Sequence, residues 1–300
     1  MTSRTPDANN PDIALSVRAH DRVGKRRTDQ TWLEETWADP STRVLLLDEG
    51  KFPVIADRSA IDWQGSLDAP AGQRVFLGSQ HGVAQFAVLL EDHPADQKWA
   101  GFRAVAPSLS TDDAGLLVHA IALAEWHAAH RHCPRCGGRL EAGQAGHVLT
   151  CTACGKQQFP RADPAVIMLV THDDRALLGR QPSWPEGRYS TLAGFVDPGE
   201  SLEEAVIREV AEEVGVTVTD VTYFGNQPWP FPASLMVGFF ARAVTTEISV
   251  DNDEISDARW FTREQMRTEA EAETLILPGG ISISRSLVEA WYGEPLPGSW

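Results

Sequence analysis

No apolar run among the 300 residues reaches membrane-spanning length, which excludes a bilayer-crossing helix as an organising element. The opening stretch, MTSRTPDANNPDIAL, lacks the apolar core of an export signal. Cysteine is scarce too: there are four, all in one pair of C-x-x-C elements, leaving none for scattered structural disulfides. A reducing, cytoplasmic setting is the expectation. Positive charge is also short, with 26 Lys plus Arg against 42 acids and a formal net charge of −16. A surface of that sign argues against generic, sequence-independent nucleic-acid binding, which needs basic patches. It leaves a phosphorylated substrate open wherever a bound divalent cation inverts the local field.

The rest of the composition is that of a globular protein, 42% apolar and 23% charged, and the length suggests two domains. Residues 1 to about 28 are polar, with a small basic group at Arg22, Lys25, Arg26 and Arg27, and read as a solvated arm. From Thr31 to Pro107, short apolar runs such as Arg43-Val44-Leu45-Leu46-Leu47 and Phe86-Ala87-Val88-Leu89-Leu90 alternate with Gly, Pro, Asp and Ser. That punctuation predicts a mostly β domain over residues 1–110. His81 and His93 read as loop or surface residues. Thr111-Asp112-Asp113 resembles a helix cap, and a connecting helix is expected over residues 111–131, with Trp126 packed against a neighbour.

Two knuckles follow, Cys133-Pro134-Arg135-Cys136-Gly137-Gly138 and Cys151-Thr152-Ala153-Cys154-Gly155, with fourteen residues between the inner cysteines. This spacing suits a tetrahedral four-cysteine zinc ribbon over residues 132–158. With Cys133, Cys136, Cys151 and Cys154 all ligating, no position stays open for substrate water, so the zinc is structural. His132 and His147 read as bystanders.

Residues 159–300 alternate strands and helices, which predicts a mixed α/β sandwich. Within them, residues 194–216 read GFVDPGESLEEAVIREVAEEVGV. Pro198-Gly199 makes a turn, and Glu200, Glu203 and Glu204 fall in the first turns of a helix, where acids suit the dipole. Leu202, Val206 and Val210 form an apolar ridge, and Gly215 ends the helix. Glu209, Glu212 and Glu213 stand at i, i+3 and i+4 on one face, and Arg208 is placed to pair with Glu200. Three carboxylates crowded at the negative end of a helix call for a hard divalent cation. An ordinary solvated acidic helix would explain the glutamates, but not the glycines and arginine in register with them.

This stretch matches the Nudix box, G-x5-E-x7-R-E-U-x-E-E-x-G-U with U aliphatic, at all nine fixed positions. Downstream comes Gly225-Asn226-Gln227-Pro228-Trp229-Pro230-Phe231-Pro232-Ala233-Ser234. Its prolines remove amide donors, which predicts a stiff loop, not an interior strand, with Trp229 and Phe231 displayed. Box, loop and zinc ribbon together resemble the NADH pyrophosphatases of the Nudix superfamily, also described as NAD-capped RNA hydrolases. Asn226 stands where that family has serine.

The resemblance implies a mostly β N-terminal domain, a zinc ribbon and a C-terminal Nudix α/β/α sandwich. It implies Mg²⁺ or Mn²⁺ on Glu209, Glu213 and Glu254 with the Ala193 carbonyl, and Glu212 as a further ligand or water-orienting group. It places substrate on Gln227, Pro228, Trp229, Pro230, Phe231, Pro232, Ala233 and Ser234, and on Phe159, Phe195 and Ser284. Phe159 replaces the family's usual tyrosine, and Ser284 lies in Ser282-Ile283-Ser284 where the family has S-I-A. The implied reaction cleaves the diphosphate of NAD(H) into nicotinamide mononucleotide and AMP, or removes an NAD cap from an RNA 5′ end. The implied assembly is a homodimer. Glu213 and Glu212 are both candidates for the general base. A Nudix hydrolase for ADP-ribose, dinucleoside polyphosphates or oxidised nucleotides, and a zinc-ribbon binding or regulatory protein that keeps a dead Nudix fold as a sensor, are the competing readings.

Overall fold

Asp29 accepts a hydrogen bond from the Trp32 amide and so caps helix α1 (Gln30–Ala38). The computed structural model describes residues 13–55, 60–92, 94, 97–250 and 252–298; the readings made on residues 1–12 and on His93 fall outside these. Helix α1 interrupts the expected strand-and-turn region. Only Leu33 and Trp37 mark its buried face, too few for a helical period to stand out.

Strands β1 (Arg43–Leu47), β2 (Lys51–Pro53), β3 (Gln64–Gly65), β4 (Gln73–Gln80), β5 (Val83–Leu89) and β6 (Trp99–Gly101) follow. They form a sheet of order β3-β1-β5-β4 and a separate β2-β6 pair. Strands β1 and β5 run parallel, with Leu45 opposite Ala87. Leu33, Trp37, Val44, Leu46, Phe76, Phe86 and Val88 make one core. Helices α2 (Phe102–Val105) and α3 (Thr111–Ala129) come next. The α3 cap is Ser110, one residue before the expected position, accepting from the Asp113 amide, and Trp126 is buried as expected.

Residues 17–28 are not a free arm. Asp21 and Ser79 exchange backbone hydrogen bonds of 2.9 and 2.8 Å, and His20 Nε2 lies 3.0 Å from His119 Nδ1. Gly78 permits this close approach, since a Cβ there would fall 2.1 Å from the Asp21 carbonyl oxygen. Strands β7 (Leu140–Gly143), β8 (Val148–Cys151) and β9 (Gln157–Gln158) then form an antiparallel ribbon.

The C-terminal sheet runs β13-β14-β10-β11-β15, with β12 paired to β10. Its strands are β10 (Asp163–His172), β11 (Arg175–Arg180), β12 (Leu192–Phe195), β13 (Val218–Trp229), β14 (Ser234–Ala243) and β15 (Asp257–Thr262). Helices are α4 (Leu202–Val214), α5 (Arg263–Glu271) and α6 (Ile283–Tyr292). Alternation along central β10 builds the layers. Val166, Met168 and Val170 share a core with Val206 and Val210 of α4, while Ile167 and Leu169 share another with Leu287 and Val288 of α6. The result is an α/β/α sandwich, and the chain as a whole is mixed α/β with a β-rich N-terminal region.

Two expectations change here. Gln227-Pro228-Trp229 is strand, not loop; Pro228 is tolerated because β13 is an edge strand. Glu200 precedes α4, whose cap is Ser201.

The chain divides into two compact units. One contains the described residues up to Ser16, Asp163–Pro228 and the chain from Ser234 on; the other contains Val17–Ala162 and Trp229–Ala233. No described helix is long and apolar enough to cross a membrane.

Candidate active site

A capping box fixes the start of α4: Ser201 Oγ accepts from the Glu204 amide, and Glu204 Oε2 accepts from the Ser201 amide. Gly215, at φ 69°, ends the helix. Between these limits Ala205, Val206, Val210 and Val214 are buried, and the same packing carries Glu209 and Glu213 to 7% and 4% exposure. Glu212 faces outward, its side chain 62% exposed.

Arg208 organises the acids. Nε donates to Glu200 Oε1 at 2.9 Å and Nη2 to Glu200 Oε2 at 3.0 Å, a bidentate pair. Nη1 donates to Glu209 Oε1 at 2.9 Å and Glu212 Oε2 at 3.0 Å, and Nη2 also donates to the Phe195 carbonyl at 2.9 Å. All five guanidinium N–H groups are thereby used. Glu200 in turn closes its own loop by accepting from the Asp197 amide at 3.1 Å. Arg208 holds the Glu200 carboxyl below its ordinary value. Burial pushes the Glu209 carboxyl above its ordinary value; Arg208 opposes that, and the charges of Glu212 and Glu254 add to it.

Strand β12 runs beside β10 with Ala193 opposite Ile167, and brings Ala193, Gly194 and Phe195 against the helix. A cavity of about 540 Å³ opens there. Of the sequence-predicted residues it collects Ala193, Phe195, Glu209, Glu212, Glu213, Ser234 and Glu254. Phe195 is 59% exposed, its ring free for a flat partner. Sequence reasoning missed Gln181 and Asp197, which also line it. No local signal marks Gln181: its place follows from β11 lying beside β10, a pairing only the fold reveals.

The donor set fits a hard divalent cation. Four glutamates face the cavity and Arg208 is its single cation, so negative charge is left over, carried by carboxylate oxygens of the kind Mg²⁺ and Mn²⁺ take.

Other predicted contacts sit elsewhere. Gln227 is buried, donating from Nε2 to the Ala14 and Ile281 carbonyls at 2.5 and 2.9 Å and accepting at Oε1 from the Ile283 amide at 3.0 Å. It ties the end of β13 to the start of α6. Ser284 Oγ is buried among Ser190 Oγ, Thr191 Oγ1 and the Thr191 amide, 2.8 to 3.2 Å away. Trp229 to Ala233 belong to the other unit. There Pro230 is buried, Trp229 meets Phe231 edge-on at 5.2 Å, and Phe231 packs on Phe102 at 5.4 Å. Those aromatics were expected to be displayed and are half-buried instead; Pro228 and Pro232 flank them. Phe159, in the same unit, is 57% exposed.

The cysteines converge. All four sulfurs lie within 4.8 Å of one another, with Cys133 to Cys154 at 3.8 Å and Cys136 to Cys151 at 3.5 Å. Zinc about 2.3 Å from each sulfur sets edges of about 3.8 Å, so the set fits that ion. The knuckles repeat one geometry: the Gly137 amide donates to the Cys133 carbonyl and the Gly155 amide to that of Cys151, each at 2.9 Å, with φ of 73° and 70°. The Cys154 amide on its sulfur pulls the Cys151 thiol down to about 6, favouring the thiolate.

Comparison with known proteins agrees with this geometry. Residues 161–277 match the NUDIX domain, and residues 32–126 match an NADH pyrophosphatase-like rudimentary NUDIX domain. The protein named NAD-capped RNA hydrolase NudC from Mycobacterium bovis is 38% identical over 301 residues, covering 92% of this chain and 94% of its own. The NudC of Stutzerimonas stutzeri is 40% identical over 238 residues, covering 78% and 83%. NAD-capped RNA hydrolase NUDT12 of Macaca fascicularis is 42% identical over 196 residues, covering 61% of this chain and 42% of its own. With the box intact, its carboxylates gathered in one cavity and near full-length likeness to NudC proteins, the chain belongs to the Nudix hydrolase family, in its NudC group.

Proposed function

We propose that this enzyme hydrolyses the diphosphate bond of NAD(H) to nicotinamide mononucleotide and AMP, and removes NAD caps from RNA 5′ ends to leave 5′-monophosphate RNA. The observation that carries the reading is the cavity in which Glu209, Glu213 and Glu254 meet Ala193 and Phe195. The names of the near full-length relatives support the substrate.

Glu209, Glu213, Glu254 and the Ala193 carbonyl would hold Mg²⁺ or Mn²⁺, whose chemistry when bound is to neutralise phosphate oxygens and acidify water. Arg208 fixes Glu209 and the 195–200 loop before substrate arrives, so the carboxylates need no rearrangement on binding. Glu213 accepts the proton of the attacking water as its oxygen bonds phosphorus and the bridging P–O bond breaks. Glu212 is less suited, being exposed and bound to Arg208 Nη1. Phe195, exposed at the edge of this cavity, supplies a flat face for a ring of the substrate.

In this reading the chain has four parts: residues 1–110, a connecting helix over 111–131, a zinc ribbon over 132–158 and the catalytic part over 159–300. It works as a cytoplasmic homodimer. The use of all four cysteines in one set with zinc geometry, leaving none for disulfides elsewhere in the sequence, fits a reducing location.

The test is a Mg²⁺- or Mn²⁺-dependent assay on NADH and 5′-NAD-capped RNA side by side, products identified by mass. Nicotinamide mononucleotide from either substrate, lost in Glu213→Gln, is expected. A folded, zinc-loaded protein that cleaves neither would refute the reading.

A further inference from the structure

The chain is strongly acidic, yet residues 131–161 carry Arg131, Arg135, Arg139, Lys156 and Arg161 against one acid, Glu141. A zinc held by four thiolates counts as two negative charges, and the segment still keeps a positive balance. Three of these cations are concentrated around a groove of about 400 Å³ beside the ribbon, lined by Pro134, Arg135, Lys156, Gln158, Phe159 and Arg161 among others. Arg135, Lys156 and Arg161 are exposed, and none forms an ion pair among the described residues. No acid lines the groove.

Two further features point to a ligand. Phe159, lining the same groove as the cations, leaves an aromatic face in water. Gln158 is 6% exposed, and its Nε2 has no hydrogen-bond partner among the described residues. A buried amide donor without a partner is costly, which marks a place where an acceptor is supplied from outside. Cations for phosphates, a flat ring for stacking and an amide for a base edge are the elements by which proteins hold single-stranded nucleic acid.

We propose that this groove of the zinc ribbon binds the single-stranded RNA body of a capped substrate. The inference rests on the RNA branch of the proposed function and extends it. The ribbon then serves as the element that distinguishes capped RNA from free dinucleotide, in a chain whose net charge otherwise repels RNA. Phosphates take Arg135, Lys156 and Arg161, and an unpaired base takes the side of Gln158. A protein partner or a second copy of the chain would meet the same groove without dependence on RNA.

The experiment uses the full zinc-loaded chain and its Arg135→Glu, Lys156→Glu, Arg161→Glu triple variant, with zinc content measured in both. Fluorescence anisotropy with a short unstructured 5′-monophosphate RNA reads binding, and kcat/KM is compared on free NADH and on NAD-capped RNA. Expected are a loss of RNA affinity of at least about tenfold and a salt slope smaller by about 2, three phosphate contacts being lost at about 0.7 each. The ratio of kcat/KM on capped RNA to that on NADH falls by a similar factor, while NADH hydrolysis stays within about twofold. Unchanged RNA binding, or equal loss on both substrates, overturns the proposal. A change in oligomeric state without a change in RNA affinity overturns it as well. Wild-type protein that cleaves neither substrate refutes the proposed function, while the anisotropy arm still decides the groove.

Discussion

Gly194 lies so close under Glu209 that a Cβ on it would fall 1.9 Å from the Glu209 carboxyl carbon and 2.1 Å from Oε1. The first glycine of the box is there to leave room for a carboxylate, not to turn the chain.

Gly194→Ala should therefore spare the fold and damage the chemistry. The atoms in the way are the far end of a flexible side chain, which can swing aside, but only by leaving the cavity. The expected result is a drop in kcat/KM on the order of 10²-fold with an unchanged circular dichroism spectrum. Activity within threefold of wild type would show that Glu209 need not stand where it does.

Arg208→Lys keeps the charge and loses the fork. An ammonium has three donors on a single atom and cannot span Glu200, Glu209, Glu212 and the Phe195 carbonyl together. Activity should fall on the order of tenfold or more, and hydrogen exchange of the 195–200 amides should quicken. Protection equal to wild type would assign the ordering of that loop to something else.

Acid should loosen the packing of the ribbon on strand β4 through a buried histidine. His147 has its Nε2 2.7 Å from the Phe76 carbonyl and its ring 5.8 Å from that of His119. Burial lowers His147 from 6.5 to about 4. The unfolded chain thus binds the proton more readily than the folded one between these values, so stability rises with pH across that window. The contribution is fully present above pH 6.5 and is lost as pH falls toward 4, up to about 3 kcal/mol for His147. Urea unfolding at stepped pH values should show that slope. In His147→Gln, whose amide can still donate to Phe76, the slope should flatten; an identical slope would exclude His147 as its source.

Ser284 separates a framework role from a substrate role. Ser284→Ala strips the Thr191 amide and two hydroxyls of their partner and should cost about 1–3 kcal/mol. KM for NADH should stay within about twofold. A tenfold rise in KM at unchanged stability would restore Ser284 as a substrate contact.

Much of the catalytic half was legible in the sequence because its signals are local. Box spacing along one helix makes Glu209 and Glu213 share a face, and C-x-x-C with a glycine after it makes a knuckle whatever surrounds it. The α4 ridge and the Gly215 stop follow from the same short-range geometry. Helix α1 escaped notice because two buried side chains do not make a period, and the 17–28 segment because its anchor, Ser79, is remote in sequence.

By itself the sequence determined the chemical inventory: a box of acids with one arginine, four thiolates, and a ring-bearing proline segment. Tertiary structure decided which of these meet. It drew Glu254 and Ser234 into the carboxylate cavity and turned Gln227 and Ser284 into buried struts. It also left the Gln158 Nε2 without a partner among the described residues, beside Phe159 and the ribbon cations. The physical reason is separation along the chain. Contacts within a helical turn or a knuckle are fixed by backbone geometry alone, whereas contacts across the sheet exist only after its strands have paired and their faces have been buried.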